Sequence, residues 1–186
     1  MSEFQDIIAE IAEHTLLTMD RLWALYSLSR HSSLLPGDMA EVGVYKGGSS
    51  VLLARANPDK IVHAFDTFTG IPNADANEVH ANGDFDVGGK PPAILACCAN
   101  IIPRVGLFPD TASFDATYCF AHFDGDTYPS CRAFIDYFTP RMSRGGAMVF
   151  DDYGWFRCPG VKRALHETFD ERRILSFASV QAIVFV

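Results

Sequence analysis

Several short apolar runs in this chain break off abruptly in carboxylates or glycines, and that pattern restricts the fold more than any other feature. The run at 38–44 leads into Glu41-Val42-Gly43-Val44-Tyr45-Lys46-Gly47-Gly48-Ser49, and the run at 61–68 carries Asp66 near its end. Residues 118–123 lead into Asp124-Gly125-Asp126, and 147–150 into Asp151-Asp152-Tyr153-Gly154. Helical patterning is expected between them, at 49–56, 91–101, 130–138 and 161–172. Strands that alternate with helices imply an α/β fold, a mostly parallel sheet with helices on both faces. The unbroken run Ala147-Met148-Val149-Phe150 fits a strand buried on both sides. A strand at 104–108 and a terminal pair at 174–177 and 182–186 bring the total to seven, the last two forming an antiparallel hairpin. Ligands of such sheets gather beyond the carboxyl ends of the strands, so the polar residues there are expected to form one constellation.

The 186 residues suffice for one well-buried core and are too few for two comfortable domains. A net charge of −8 speaks against nucleic acid as a partner, because phosphate contacts need a basic face. No apolar run approaches the roughly 20 residues of a membrane span. The acidic start, Met1-Ser2-Glu3-Phe4-Gln5-Asp6, lacks the basic region of a secretory signal, and a cytoplasmic protein is expected. Five cysteines, two of them adjacent at 97 and 98, suit neither a disulfide framework nor a zinc knuckle and read as reduced thiols.

Up to residue 33 the chain reads as helix, with Ile7, Ile11, Leu22 and Leu25 among the apolar residues recurring every three or four positions. Pro36-Gly37 interrupts this pattern. The expected division is an N-terminal helical segment at 1–35, suited to covering the site or to contacting a second copy in a homodimer, and a domain at 36–186. Residues 70–90 are rich in Asn, Asp and Gly and long for a structureless connection, which marks them as a functional loop, with a lid as one role.

At the first strand end, Gly43 permits close backbone approach, while Gly47 and Gly48 allow a tight turn into a helix N-terminus. Exposed N–H groups and the Ser49 hydroxyl suit a carboxylate, and Glu41 suits an ammonium; a ligand carrying both is an amino acid moiety. The dinucleotide fingerprint Gly-x-Gly-x-x-Gly is missing. Asp66, about 20 residues beyond the turn, is placed to accept ribose hydroxyls. Asp124, Asp126, Asp151 and Asp152 at neighbouring strand ends repel one another unless a cation joins them, and oxygen ligands favour Mg²⁺ or Mn²⁺ over zinc. Among the histidines, His80 in the long loop is a catalytic candidate, His122 reads as a packing residue and His166 as a surface one.

In order and number, these motifs resemble the macrocin O-methyltransferase family. The resemblance runs from Pro36 onward, through Glu41-x-Gly43-Val44-x-x-Gly47-Gly48-Ser49, Phe65-Asp66-Thr67-Phe68-x-Gly70-Ile71-Pro72 and His80-x-x-Gly83-Asp84-Phe85. It continues in Gly106-x-Phe108-Pro109-Asp110-Thr111, Asp124-x-Asp126-x-Tyr128-x-Ser130 and Phe150-Asp151-Asp152-Tyr153-Gly154. The resemblance implies a Rossmann-like class I methyltransferase fold and S-adenosylmethionine as donor, bound through Glu41, Gly43, Tyr45, Gly47, Gly48, Ser49, Asp66 and Thr67. It further implies Mg²⁺ on Asp124, Asp151 and Asp152, Asp126 as general base, and a small-molecule acceptor such as a sugar or phenol. Two other readings stand beside it. Asp124-Gly125-Asp126-Thr127 is similar to the nucleophile loop of haloacid dehalogenase phosphatases, although that loop normally follows the first strand. A non-catalytic relative that keeps only the donor pocket is the other.

Overall fold

The protein is described by a computed structural model over residues 2–72, 74 and 79–186. Seven strands, β1 (Asp38–Val42), β2 (Val62–Asp66), β3 (Ile101–Val105), β4 (Tyr118–Phe123), β5 (Met142–Phe150), β6 (Leu175–Phe177) and β7 (Gln181–Phe185), form one sheet in the order β3-β2-β1-β4-β5-β7-β6. The first five run parallel, β7 is antiparallel to β5, and β6 is antiparallel to β7, as the sequence led us to expect. Chain order reverses between β1 and β4, the switch point at which such sheets open a crevice.

Alternation along the strands sends each side chain to one of two helical layers. Met39, Ala147 and Val149 share a core with α1 (Glu3–Ile11), α2 (Met19–Ser32) and α3 (Gly48–Ala56) through Ile11, Leu25 and Val51. Ala40, Val42, Phe123 and Phe150 face the other way, onto α4 (Tyr128–Phe138) and α5 (Pro159–Thr168) through Phe134, Phe138 and Leu165. Phenylalanines dominate the second layer: the Phe134 ring lies 4.6 Å from Phe138 and 5.3 Å from Phe150.

The structure departs from the sequence reading in three places that matter for the site. The expected N-terminal helix is two helices, α1 and α2, divided by an irregular crossing at 12–18. There the Thr15 hydroxyl accepts from the Leu17 amide at 3.1 Å in place of a helical bond, and Thr18, in extended conformation, takes the N-cap position of α2. Strand β3 begins three residues before the expected 104 and contains Pro103, which a sheet tolerates because β3 is an edge. Only a 3-10 turn, Ala93–Cys97, forms where a full helix was expected at 91–101. Within the 70–90 loop, residues 73 and 75–78 lie outside the described residues, and the lid expectation falls partly on them. The rest of that loop is anchored by Ile71 N to Asp84 O at 3.0 Å and Gly83 N to Ile71 O at 3.0 Å. No helix among the described residues is long and apolar enough to cross a membrane.

Candidate active site

Successive strand ends are tied to their neighbours by continuing the sheet's own hydrogen bonding. Gly43 N donates to Phe65 O at 3.0 Å, Asp124 N to Val42 O at 2.8 Å, and Asp151 N to Phe123 O at 2.8 Å. Gly43 fits here because it has no side chain: its φ is +89°, and a Cβ would stand 2.0 Å from the Asp124 carbonyl oxygen. The glycine turn and the aspartates after β4 therefore share a wall.

A cavity of about 350 Å³ opens over this wall. Gly43, Tyr45, Ser49, Asp66, Thr67, Asp124, Asp126 and Asp152 line it, together with His14, Leu16, Arg21, His80, Phe85 and Trp155. Tyr45, Asp126 and Asp152 all hold left-handed backbone conformations, with φ of 50°, 59° and 60°. Phe85, also on the cavity, has φ of 67°; non-glycine residues rarely adopt this geometry, and four around one cavity are a mark of a functional site.

Asp66 braces the glycine turn. Its Oδ2 accepts from the Val44 and Tyr45 amides at 2.6 and 2.9 Å, and its Oδ1 accepts from the Phe68 amide at 2.7 Å. A carboxylate has about four acceptor positions, so one is left for a ligand. The first turn of α3 is partly covered by the N-terminal crossing, since Gly48 N donates to His14 O at 2.9 Å. Gly47 and Gly48 shape the turn without reaching the cavity wall. The expectation that Glu41 would meet a ligand ammonium has no counterpart in the geometry, because its side chain is wholly buried away from that wall. Glu41 accepts from the Ser50 hydroxyl and pairs with His122 Nδ1 at 2.8 Å.

His122 is more than a packing residue. It sits beside Glu41 in the β1–β4 register, and its Nε2 lies 3.7 Å from Asp151 Oδ2, an ion-pair separation longer than a hydrogen bond. Burial opposes its charge, but Asp151 and Glu41 overcome that and push its pKa up to about 10. The ring lies between two carboxylates that favour its charged form. Asp151 is also fully buried; burial works to raise its pKa, and His122 and Arg21 hold it below the usual carboxylate range. Arg21 Nη1 reaches Asp151 Oδ1 at 2.8 Å, and Gln181 Nε2 donates to its Oδ2 at 3.1 Å.

Asp124 and Asp152 are less fully compensated. Burial beneath the cavity floor, then repulsion from Asp151 and Asp152, lifts Asp124 well above the usual range. Burial and Asp151 push Asp152 up to about 6, although Arg21 and the contact with Asp126 work against the rise. This is the charge excess that a divalent ion would relieve, and its oxygens suit Mg²⁺ or Mn²⁺. Ligand atoms of His122, Asp124 and Asp151 lie within 4.8 Å of one another; Asp152 lines the cavity with Asp124, and Asp151 is also held by Arg21 and Gln181. Asp126 lies 3.6 Å from His80 Nε2, whose Nδ1 is 3.6 Å from Asp84, so the histidine expected from the long loop does face the aspartates. His166, by contrast, meets Tyr153 Oη at 2.9 Å away from this cavity. Thr127, which the phosphatase reading needs at its nucleophile loop, is buried as the N-cap of α4.

A family model described as a methyltransferase domain matches residues 40–153. Mycinamicin III 3''-O-methyltransferase of Micromonospora griseorubida is 29% identical over 192 residues, which cover 87% of this chain and 72% of that protein. Demethyldecarbamoylnovobiocin O-methyltransferase of Streptomyces niveus is 31% identical over 157 residues, covering 72% of this chain and 58% of its own length. Among solved structures, the O-methyltransferase NovP superposes with a TM-score of 0.76 at 23% identity over 92% of this chain and 81% of its own. A calicheamicin methyltransferase gives 0.78 at 20% identity over 98% and 91%. These likenesses show the class I fold.

Proposed function

The chain belongs to the S-adenosylmethionine-dependent O-methyltransferases, and on that premise we propose that it methylates a hydroxyl of a small natural product, a sugar or a phenol, with the help of Mg²⁺. The observation that carries this reading is the shared wall: the glycine turn suited to the donor touches the Asp124 backbone, and the carboxylates after β4 and β5 open into the same cavity. The names of the relatives, O-methyltransferases of mycinamicin III and of demethyldecarbamoylnovobiocin, support the acceptor class.

In this reading the turn at 43–49 and Asp66 bind the donor, with Glu41 and His122 supporting the turn from below. Asp124 and Asp152, joined by Asp151, would hold the ion, whose charge lowers the pKa of the acceptor hydroxyl. Asp126 takes the hydroxyl proton as the methyl group passes from sulfur to oxygen, leaving a neutral thioether and an ether. Tyr45, Phe85 and Trp155 wall the cavity with aromatic surface and exclude water. Most of the rate comes from positioning, because the methyl group is already activated in the donor.

The test is release of demethylated donor with panels of phenols and sugars. Asp126→Asn is expected to cut turnover by about 100- to 10,000-fold, the range for loss of a general base, with donor binding changed little. Undiminished turnover in that variant would remove Asp126 from the mechanism.

A further inference from the structure

The N-terminal helices bring a cation into the carboxylate cluster from outside the sheet. Arg21 lies in the first turn of α2, its side chain is 9% exposed, and it both lines the cavity and pairs with Asp151. Its Nε donates to the Thr18 hydroxyl at 3.2 Å and its Nη2 to Leu16 O at 3.4 Å, so one guanidinium joins the end of β5 to the 12–18 crossing. The acceptor positions of Asp151 are largely taken: Oδ1 receives Arg21 and, at 3.1 Å, the Asp152 amide, and Oδ2 receives Gln181. Asp124 and Asp152 line the cavity while Asp151 does not.

From this geometry we propose that Arg21 is a resident counter-charge of the carboxylate cluster, which a divalent ion must displace from Asp151 before all three aspartates can hold it. This inference rests on the metal-assisted reading above. A divalent ion held by Asp151 Oδ1 would repel the guanidinium at hydrogen-bonding distance and weaken its hold there. Because the same guanidinium also bonds Leu16 and Thr18, the 12–18 crossing would be loosened with it. Arg21 thus sets the affinity for the ion and links ion binding to the seating of the N-terminal segment.

The experiment measures Mn²⁺ binding, by the resonance signal of the free ion, in wild type, Arg21→Met, Arg21→Lys and Asp124→Asn. Methionine fills the stem without charge, and R21M is expected to bind Mn²⁺ about tenfold or more tightly than wild type. R21K keeps the charge and is expected within about threefold of wild type. In the wild-type protein, saturating Mn²⁺ is expected to speed amide exchange at 12–21, a readout that stands even if R21M does not fold. Equal or weaker Mn²⁺ binding by R21M, or exchange at 12–21 unchanged by Mn²⁺, overturns the proposal. If Asp124→Asn abolishes Mn²⁺ binding but R21M matches wild type, only the role of Arg21 falls; if no variant binds Mn²⁺, the metal reading falls with it.

Discussion

His63, on β2 and buried, has its protonation state written in its two neighbours. Arg104 Nη2 lies 3.3 Å from Nδ1 and has no lone pair to offer, so Nδ1 accepts and Nε2–H donates to Asp38 at 3.0 Å. The ring is neutral in the fold. Burial lowers its pKa, Arg104 adds to that, and the opposing pull of Asp38 does not cancel them. An unfolded histidine titrates near 6.5, so below that value the unfolded chain binds more protons than the native one. The contribution of His63 to stability is complete above about pH 6.5 and is lost as pH falls through the lowered native value. Urea unfolding at pH 7 and pH 5 should therefore show that wild type loses more stability, or gains less, than His63→Gln over that interval; an equal change in the two proteins would contradict the neutral assignment. At this scale the sequence discloses residues whose role depends on strand ends, such as Asp66, Asp124 and Asp126. It hides Arg21 and Asp151 as a pair, because 130 positions separate them. One clue was available: a cation in the first turn of a helix opposes the helix dipole, so Arg21 calls for a compensating anion.

Helix α1 shows how an element at the margin of the chain serves the site. A capping box fixes its start, with Gln5 N donating to Ser2 Oγ at 3.4 Å and Ser2 N to Gln5 Oε1 at 3.0 Å. Phe4, Ile7 and Ile11 then fall on one face and enter the core of α3. Ile11 is fully buried one residue before the crossing that reaches His14, so α1 fixes where that crossing lies. Ile11→Ala is expected to lower stability by about 2–5 kcal/mol, read from the urea midpoint; a loss below about 1 kcal/mol would make α1 a loose appendage. The apolar spacing that reveals α1 and α2 also conceals the gap between them, since Leu16 and Leu17 continue the pattern in a segment whose threonines have left the helix. Strands were more legible than helices here because a sheet buried on both faces demands unbroken apolar runs, and nothing comparable marks a 3-10 turn such as Ala93–Cys97.

The molecule as a whole carries two tryptophans, Trp23 on α2 and Trp155 beside the cavity. Their emission can report on the N-terminal helices and the site separately. Because α1 and α2 share a core with α3 and the central strands, unfolding followed in Trp23→Phe and in Trp155→Phe should give coincident transitions, as expected of one cooperative unit. Two separated transitions would mean that 1–35 folds as a module of its own. The parallel strands and the terminal hairpin could be anticipated from alternation. The cover over the cavity could not, because it comes from a segment remote in sequence from every strand end.

The contact between Gly43 and the Asp124 carbonyl has a practical side for anyone redesigning this protein. Substituting a residue on that wall moves both halves of the site together, since neither backbone can yield without the other. Acceptor range is better sought at Pro72, Phe85 and Trp155, which line the same cavity from loops. Libraries built there can sample new shapes while leaving the Gly43–Asp124 contact intact; a side chain at position 43 would collide with it.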